Sequence, residues 1–367
     1  MQELYQKKYE AKILILASSM RQGGESKFLA EFTNLHPEFF FEIVSPDRLT
    51  DSDNISLAEN TILNEAKGGY ANFFFKILRL VLSQKYDLLF VSGRKAGFIG
   101  HPVGNIFRLP IIYIPHGNHY LDSQNFFDKF YKKFDSFFLE KAFVYLLSFA
   151  EKARYEKNGI FLRKFSIIRN PIFIKSKKQT LKTEKSYDIH LFWIGRWDPH
   201  KDLEKAIDYV NRFASEIPDR SIKLDVYSTP PKDIQEENYY KKCMAMQSKN
   251  WDLIRGEEIC YSKFKAKYTA LFFTSKGEGF SYVIAESITT NIPIIAVNSH
   301  GVSEVVGKKR GFLISNFQDF LKAIEKVNEE SHKIIENQRR FSERFLSVEY
   351  IKERQKKIIR QSIKNVN

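Results

Sequence analysis

Residues 268–297 constrain the fold more than any other stretch of this chain. Tyr268 to Ser275 (YTALFFTS) has the composition of a short buried strand, and Pro293 to Val297 (PIIAV) that of another. Between them runs Gly277-Glu278-Gly279-Phe280-Ser281-Tyr282-Val283-Ile284-Ala285-Glu286, a glycine-rich turn that opens a helix. Two apolar strands joined through a helix pair in parallel, and the crossover between them is right-handed. A strand, a glycine turn and a helix also make an anion site, because unpaired N–H groups and the positive helix end face the same point. Glu278 and Glu286 stand eight positions apart across it. The pattern places Glu278 on the turn and Glu286 two turns into the helix. Eight helical residues would span roughly 12 Å, which suits hydroxyl recognition on either side of a bound phosphate.

The same alternation runs along most of the chain. Strands are expected at Lys12–Ala17, Phe41–Val44, Asp87–Ser92, Ile111–Ile114, Ala142–Ser148 and Ser166–Ile168. Helices are expected at Glu25–Leu35, at Tyr70–Leu82 and across Phe126–Lys141. Lys175 to Tyr187 (KSKKQTLKTEKSY) is charged and poor in apolar residues, and reads as a linker. A second series follows: strand Ile189–Ile194, helix Asp202–Ala214, strand Ile222–Tyr227 and helix Glu236–Gln247, then the glutamate segment. Three helices close the chain, at Phe317–Lys326, Glu329–Phe345 and Ser347–Lys364. Two parallel α/β sheets follow from this order, and 367 residues suit two domains.

Two cysteines, Cys243 and Cys260, argue against a disulfide framework and suggest no metal site. No apolar run is long enough to span a bilayer, and the polar start (MQELYQKKYEA) does not read as a signal peptide. A cytoplasmic protein is therefore expected. The formal net charge of +14 points to anionic partners: phosphorylated substrates, lipid headgroups or nucleic acid. No nucleic-acid-binding module is recognisable. Phe126 to Lys133 (FFDKFYKK) interleaves aromatic and basic residues. It fits a helix lying on an anionic membrane surface, and equally an amphipathic helix with its phenylalanines in the core.

The glutamate segment resembles the E-x7-E signature of retaining glycosyltransferases of the GT-B fold, in the large family called GT4. Gly195-Arg196-Trp197-Asp198-Pro199-His200-Lys201 resembles that family's Gly-Arg followed by a Lys about five residues on. Gly23-Gly24-Glu25 resembles its N-terminal glycine loop, which lies under the donor phosphates. His116, in Pro115-His116-Gly117, resembles the His-Gly that faces the donor sugar, with His119 as a local competitor. Asn170-Pro171 resembles an Asn that ends the first domain. Gly301 and Glu304 resemble a Gly-Gly-x-x-Glu turn in which His300 replaces the first glycine, and no role is assigned to His300. Arg255-Gly256 and Tyr261-Ser262 stand near where the family holds the base.

The resemblance implies two Rossmann-like domains facing across a central cleft. The first would cover residues 1–174, the second 175–346, with 347–367 packing back on the first. It implies retaining transfer of a sugar, a hexose by the family's habit, from a UDP- or GDP-linked donor to a glycan or lipid-linked glycan. The setting would be bacterial surface polysaccharide assembly: capsule, O-antigen or lipopolysaccharide. Arg196 and Lys201 would neutralise the leaving diphosphate, Glu278 would hold donor-sugar hydroxyls and Glu286 the ribose. His116 completes the catalytic set. Gly23, Gly24, Gly195, Gly279, Phe280 and Ser281 would line the donor site. By the same resemblance, no metal or cofactor is expected. A peripheral place on the inner face of the cell membrane goes with a lipid-linked acceptor. The competing readings are a sugar-nucleotide epimerase of the same fold, a non-catalytic subunit of a glycosyltransferase complex, and a basic nucleic-acid binder. The E-x7-E match and the absence of a His-rich pattern speak against the first. Both glutamates with Arg196 and Lys201 speak against a decayed site, and salt-sensitive DNA or RNA binding without UDP binding would favour the last.

Overall fold

The computed structural model describes residues 9–21, 24–47, 56–116, 121, 123, 125–173, 187–255, 259 and 261–364. The chain forms two compact units, Met1–Pro171 with Glu349–Asn367, and Ile172–Val348. The linker-like stretch is outside the described residues except for Tyr187, and so is Gly23.

In the first unit, β1 (Lys12–Ala17), α1 (Gly24–Leu35), β2 (Phe40–Ser45), β3 (Thr61–Glu65), α2 (Tyr70–Ser83) and β4 (Leu88–Ser92) come first. They are followed by α3 (Arg94–Ile106), β5 (Ile111–Ile114), α4 (Phe126–Phe138), β6 (Phe143–Leu146), α5 (Phe149–Lys157) and β7 (Lys164–Ile167). The sheet is parallel throughout, in the order β3-β2-β1-β4-β5-β6-β7. The second unit holds β8 (Ile189–Ile194), α6 (Leu203–Glu216), β9 (Ile222–Tyr227), α7 (Ile234–Met244), β10 (Trp251–Ile254), α8 (Tyr261–Lys267) and β11 (Ala270–Phe273). After them come α9 (Tyr282–Thr289), β12 (Ile294–Val297), α10 (Val302–Val306), β13 (Phe312–Ile314), α11 (Phe317–Glu329) and α12 (Ser331–Phe345). This sheet is parallel too, in the order β10-β9-β8-β11-β12-β13. The last helix, α13 (Val348–Lys364), belongs to the first unit from Glu349 onward.

Both sheets reverse direction after their first strand, which is the doubly wound Rossmann order. The reversal lies between β1 and β4 in one unit and between β8 and β11 in the other. Ligands of such sheets bind beyond the carboxyl ends of the strands at that point.

Parallel strands are covered on both faces, so they read as continuous apolar runs. Every residue of β4, β5 and β9 is buried. The helices contribute one stripe each: Leu203, Ala206, Ile207, Val210 and Phe213 of α6 pack with Phe317, Phe320, Ala323, Ile324 and Val327 of α11 in one core. Side-chain caps start several helices. Asn125 accepts from the Asp128 amide, Ser148 from Glu151, and Asn316 from Asp319.

Helix α3 was not legible from its residues, because Gly97, Gly100, Gly104 and Pro102 all lower helix propensity. Packing forms it instead. A Cβ at Gly100 would stand 2.7 Å from Val91, and one at Gly104 2.6 Å from Ile111, so only a glycine face reaches the sheet this closely. Helix α13 is pinned inside the first unit by Gln355, which is 1% exposed. It accepts from His36 Nε2 at 3.0 Å and donates to Tyr145 Oη at 3.0 Å. Among the described residues, no helix is long and apolar enough to cross a membrane.

Candidate functional site

In the second unit, two loops meet at the carboxyl ends of β8 and β11. The first, residues 195–202, leaves β8 and enters α6. Gly195 fits it because a Cβ would stand 2.4 Å from the Trp193 ring. Trp193 Nε1 donates to Thr274 Oγ1 at 3.1 Å, and Thr274 Oγ1 donates to the Lys201 carbonyl at 2.9 Å. The loop ends on Asp202, a left-handed residue (φ 54°). Its carboxylate meets Lys205 at 3.5 Å and Lys276 at 3.8 Å.

The second loop, residues 274–281, leaves β11 and enters α9. His200 Nε2 donates to the Gly277 carbonyl at 3.0 Å, and the Lys276 amide donates to the His200 carbonyl at 2.9 Å, so the loops are stitched together. The result is a direct pair: Lys201 Nζ lies 2.5 Å from Glu278 Oε1, which also accepts from Ser275 Oγ at 2.8 Å. The Glu278 amide donates to the His300 carbonyl at 2.9 Å. His300 thus serves the loop through its backbone. Gly301 next to it has φ +77°, and a Cβ there would fall 1.8 Å from the Glu278 carbonyl oxygen. No other residue fits without moving Glu278.

Arg196 does not join this pair. Its guanidinium lies 3.7 Å from Asp198 and 3.8 Å from Glu236, and its side chain is 58% exposed. Glu278 sits on the turn, as the spacing indicated. Glu286 is placed differently from the sequence reading. Ser281 caps the helix by accepting from the Ile284 amide, so α9 begins at Tyr282 and Glu286 is its fifth residue, little more than one turn in. The eight positions between the glutamates are therefore only partly helical. Tyr261 Oη donates to Glu286 Oε2 at 2.7 Å. Phe280 is buried and meets the Tyr282 ring edge-on at 6.2 Å. Gly279 follows Glu278 in the open turn before the cap.

The first unit has its own cluster at the ends of β1, β4 and β5. Glu25, the second residue of α1, accepts from the Ser18 amide at 2.9 Å and from Ser92 Oγ at 2.8 Å. Burial pushes its carboxyl up to about 7, against hydrogen bonds from Ser92 and Ser18 that pull it down. Ser92 Oγ in turn lies 2.9 Å from His116 Nε2. Because Ser92 gives its proton to Glu25, it accepts from His116, which fixes the Nε2–H tautomer and leaves Nδ1 as an acceptor. Burial lowers the His116 pKa to about 3, so the ring is neutral. His116 also has φ 52°, a strained conformation for a non-glycine residue. Gly93 (φ +81°) closes the cluster, since a Cβ there would stand 2.4 Å from Ser18 Oγ. Gly24 opens α1 with nothing within 4 Å of a built Cβ. His119 lies outside the described residues. Among those described, no group of three or more His, Cys, Asp or Glu side chains is placed to hold a metal.

Residues 174–345 match the family described as glycosyl transferases, group 1. The chain is 20% identical over 328 residues to an uncharacterized 41.2 kDa protein in the cps region of Klebsiella pneumoniae, covering 83% of this chain and 86% of that one. Among solved structures it is similar to HepE from Anabaena in complex with UDP and glucose, with a TM-score of 0.75, 17% identity, and coverage of 96% and 100%. It is also similar to sucrose-phosphate synthase from Thermosynechococcus elongatus, with a TM-score of 0.78, 15% identity, and coverage of 96% and 99%. The comparisons support a glycosyltransferase of the GT-B fold.

Sequence reasoning missed three polar groups of these two clusters: Ser275, Ser92 and the carboxyl of Glu25. Glu25 stands beside the glycine pair, but its partners come from β4 and the end of β1, far away in sequence. Ser275 had a nearer signal, lying three residues before Glu278 at the end of an apolar strand.

Proposed function

We propose that this chain is a retaining glycosyltransferase. It moves a sugar, a hexose, from a UDP- or GDP-linked donor to a glycan or lipid-linked glycan in surface polysaccharide assembly in the cytoplasm. The Lys201–Glu278 pair carries the reading. A cation and a hydroxyl acceptor are fixed 2.5 Å apart at the switch point of a Rossmann sheet, where a diphosphate and its sugar would lie side by side. The cps-region relative supports the polysaccharide setting, and the UDP complexes of a similar structure support the donor class.

The acceptor hydroxyl oxygen bonds to the anomeric carbon on the face from which the diphosphate departs. The carbon–oxygen bond to the diphosphate breaks, and the hydroxyl proton passes to a leaving phosphate oxygen. Lys201 and Arg196 neutralise the charge that develops, a contribution of about 3 kcal/mol for one such contact. Arg196 reaches the diphosphate by exchanging its long contacts with Asp198 and Glu236. The open N–H groups at the start of α9, around Gly279, Phe280 and Ser281, add to the same field. Glu278 keeps its lysine and accepts from donor-sugar hydroxyls with its remaining lone pairs. Glu286, oriented by Tyr261, accepts from the ribose. Gly195 lets the first loop approach the phosphates.

Calorimetry separates the two glutamates. Glu286→Ala should weaken binding of free nucleoside diphosphate, while Glu278→Ala should leave it largely intact and lower discrimination between donor sugars. The reverse pattern would mean the roles are exchanged.

A further inference from the structure

Four of the seven aromatic residues of helix α4 are exposed. Phe126, Phe130, Lys133 and Phe137 follow at spacings of four, three and four, so they share one face. That face is open: Phe126 is 79% and Phe137 63% exposed. The adjoining flank does the packing, with Phe134 4.9 Å from Phe98 and Phe138 5.8 Å from the His101 ring. Among residues of α4, only Asp135 is fully buried.

The open face does not end with α4. Phe98 of α3 meets Phe130 at 6.1 Å, and Arg94 of α3 pairs with Asp128 at 3.0 Å. Lys95 of α3 lies 5.8 Å over the ring of Tyr70, which opens α2. On α2, Phe75 is 64% and Leu82 68% exposed. Ten of the seventeen large apolar side chains exposed among the described residues lie on these three helices, and three lie in the whole second unit. Apolar exposure this concentrated marks a binding surface.

Charge selects the occupant. The three helices carry seven basic residues and two acidic ones. Asp128 is paired with Arg94 and Asp135 is buried, so no uncompensated negative charge stands on the face. Lys129 flanks the phenylalanine stripe and Lys133 stands within it. A second copy of the chain would set this basic face against itself in a two-fold contact. An anionic bilayer instead takes the rings at the headgroup boundary and the lysines among the headgroups. We propose that α2, α3 and α4 form a docking face for an anionic lipid surface. This deepens the reading of a lipid-linked acceptor, which would be presented at such a surface, yet it does not require donor turnover.

The test is co-sedimentation of the full chain, without substrates, with phosphatidylcholine vesicles containing phosphatidylglycerol. Binding is expected, with little to pure phosphatidylcholine, and salt should release it. Phe126→Ser/Phe130→Ser/Phe137→Ser and Lys129→Glu/Lys132→Glu/Lys133→Glu should each lower the partition at least tenfold. Lys322→Glu/Lys333→Glu/Lys357→Glu, which changes net charge equally elsewhere, should lower it much less. No binding at low salt, or equal losses in the two lysine triples, overturns the proposal. So does a dimer that dissociates in the phenylalanine triple while vesicle binding persists. Donor turnover measured on the same triples tells a failed docking face from a failed glycosyltransferase reading.

Discussion

Glu25→Gln should make the first unit more stable, by an amount set by pH. In the folded chain, burial raises the Glu25 pKa from 4.5 to about 7, with smaller opposing hydrogen bonds from Ser92 and Ser18. Between those values the unfolded chain has released a proton that the folded chain still holds, so stability falls as pH rises. The contribution is fully present below pH 4.5 and is lost by the time pH has passed about 7. At about 1.36 kcal/mol per pH unit, the loss is roughly 3 kcal/mol. Glutamine does not titrate, and its carbonyl still accepts from the Ser18 amide and Ser92 Oγ. The stability gap between variant and parent should therefore widen by roughly 3 kcal/mol across that window and stay flat above it. His116 titrates in both proteins and cancels in the difference. Trp193, Trp197 and Trp251 all lie in the second unit, so their fluorescence does not report this change. Hydrogen exchange of the buried amides of β1 and β4 does. A gap that is constant with pH would refute a carboxyl held protonated, and a variant less stable at every pH would show that ionised Glu25 is a net asset.

Other consequences follow from single contacts. Gly301→Ala must displace the Glu278 carbonyl, and donor turnover should fall about a hundredfold while the circular dichroism spectrum is kept; parental turnover would separate Glu278 from the chemistry. Tyr261→Phe removes one hydrogen bond from Glu286 and should weaken nucleoside diphosphate binding about fivefold by calorimetry. Gln338, fully buried on α12, donates to the carbonyls of Ile292 and Arg310 at 2.9 and 2.8 Å. Gln338→Ala should cost about 2 kcal/mol or more in urea unfolding of the second unit, because both carbonyls lose a buried partner.

The strands and the amphipathic helices were readable because their apolar runs and stripes are local patterns. Lys12–Ala17, Ile111–Ile114, Ile189–Ile194 and Ile222–Tyr227 have the bounds the residues indicate. Edge strands β3 and β10 were not readable, since their half-exposed residues carry a weak signal. The glycine helix α3 depends on contacts with Val91 and Ile111 that no local window contains. The same limit applies to the site. Gly301 and Glu278 were visible as motifs, whereas their mutual approach, and the chain from Glu25 through Ser92 to His116, join residues from different strands. The α4 helix shows the limit from the other side. Its Phe and Lys pattern fitted a core face or an exposed one equally, and only burial decides between them.

The central claim is transfer from a nucleotide-sugar through the Lys201 loop. Its most direct test offers the protein a panel of UDP- and GDP-sugars and measures enzyme-dependent release of nucleoside diphosphate, in the parent and in Lys201→Ala and Arg196→Ala. At least one donor should be turned over, and each variant should lose about a hundredfold, the equivalent of about 3 kcal/mol, while remaining folded. Release from no donor, or undiminished release in both variants, would contradict the account.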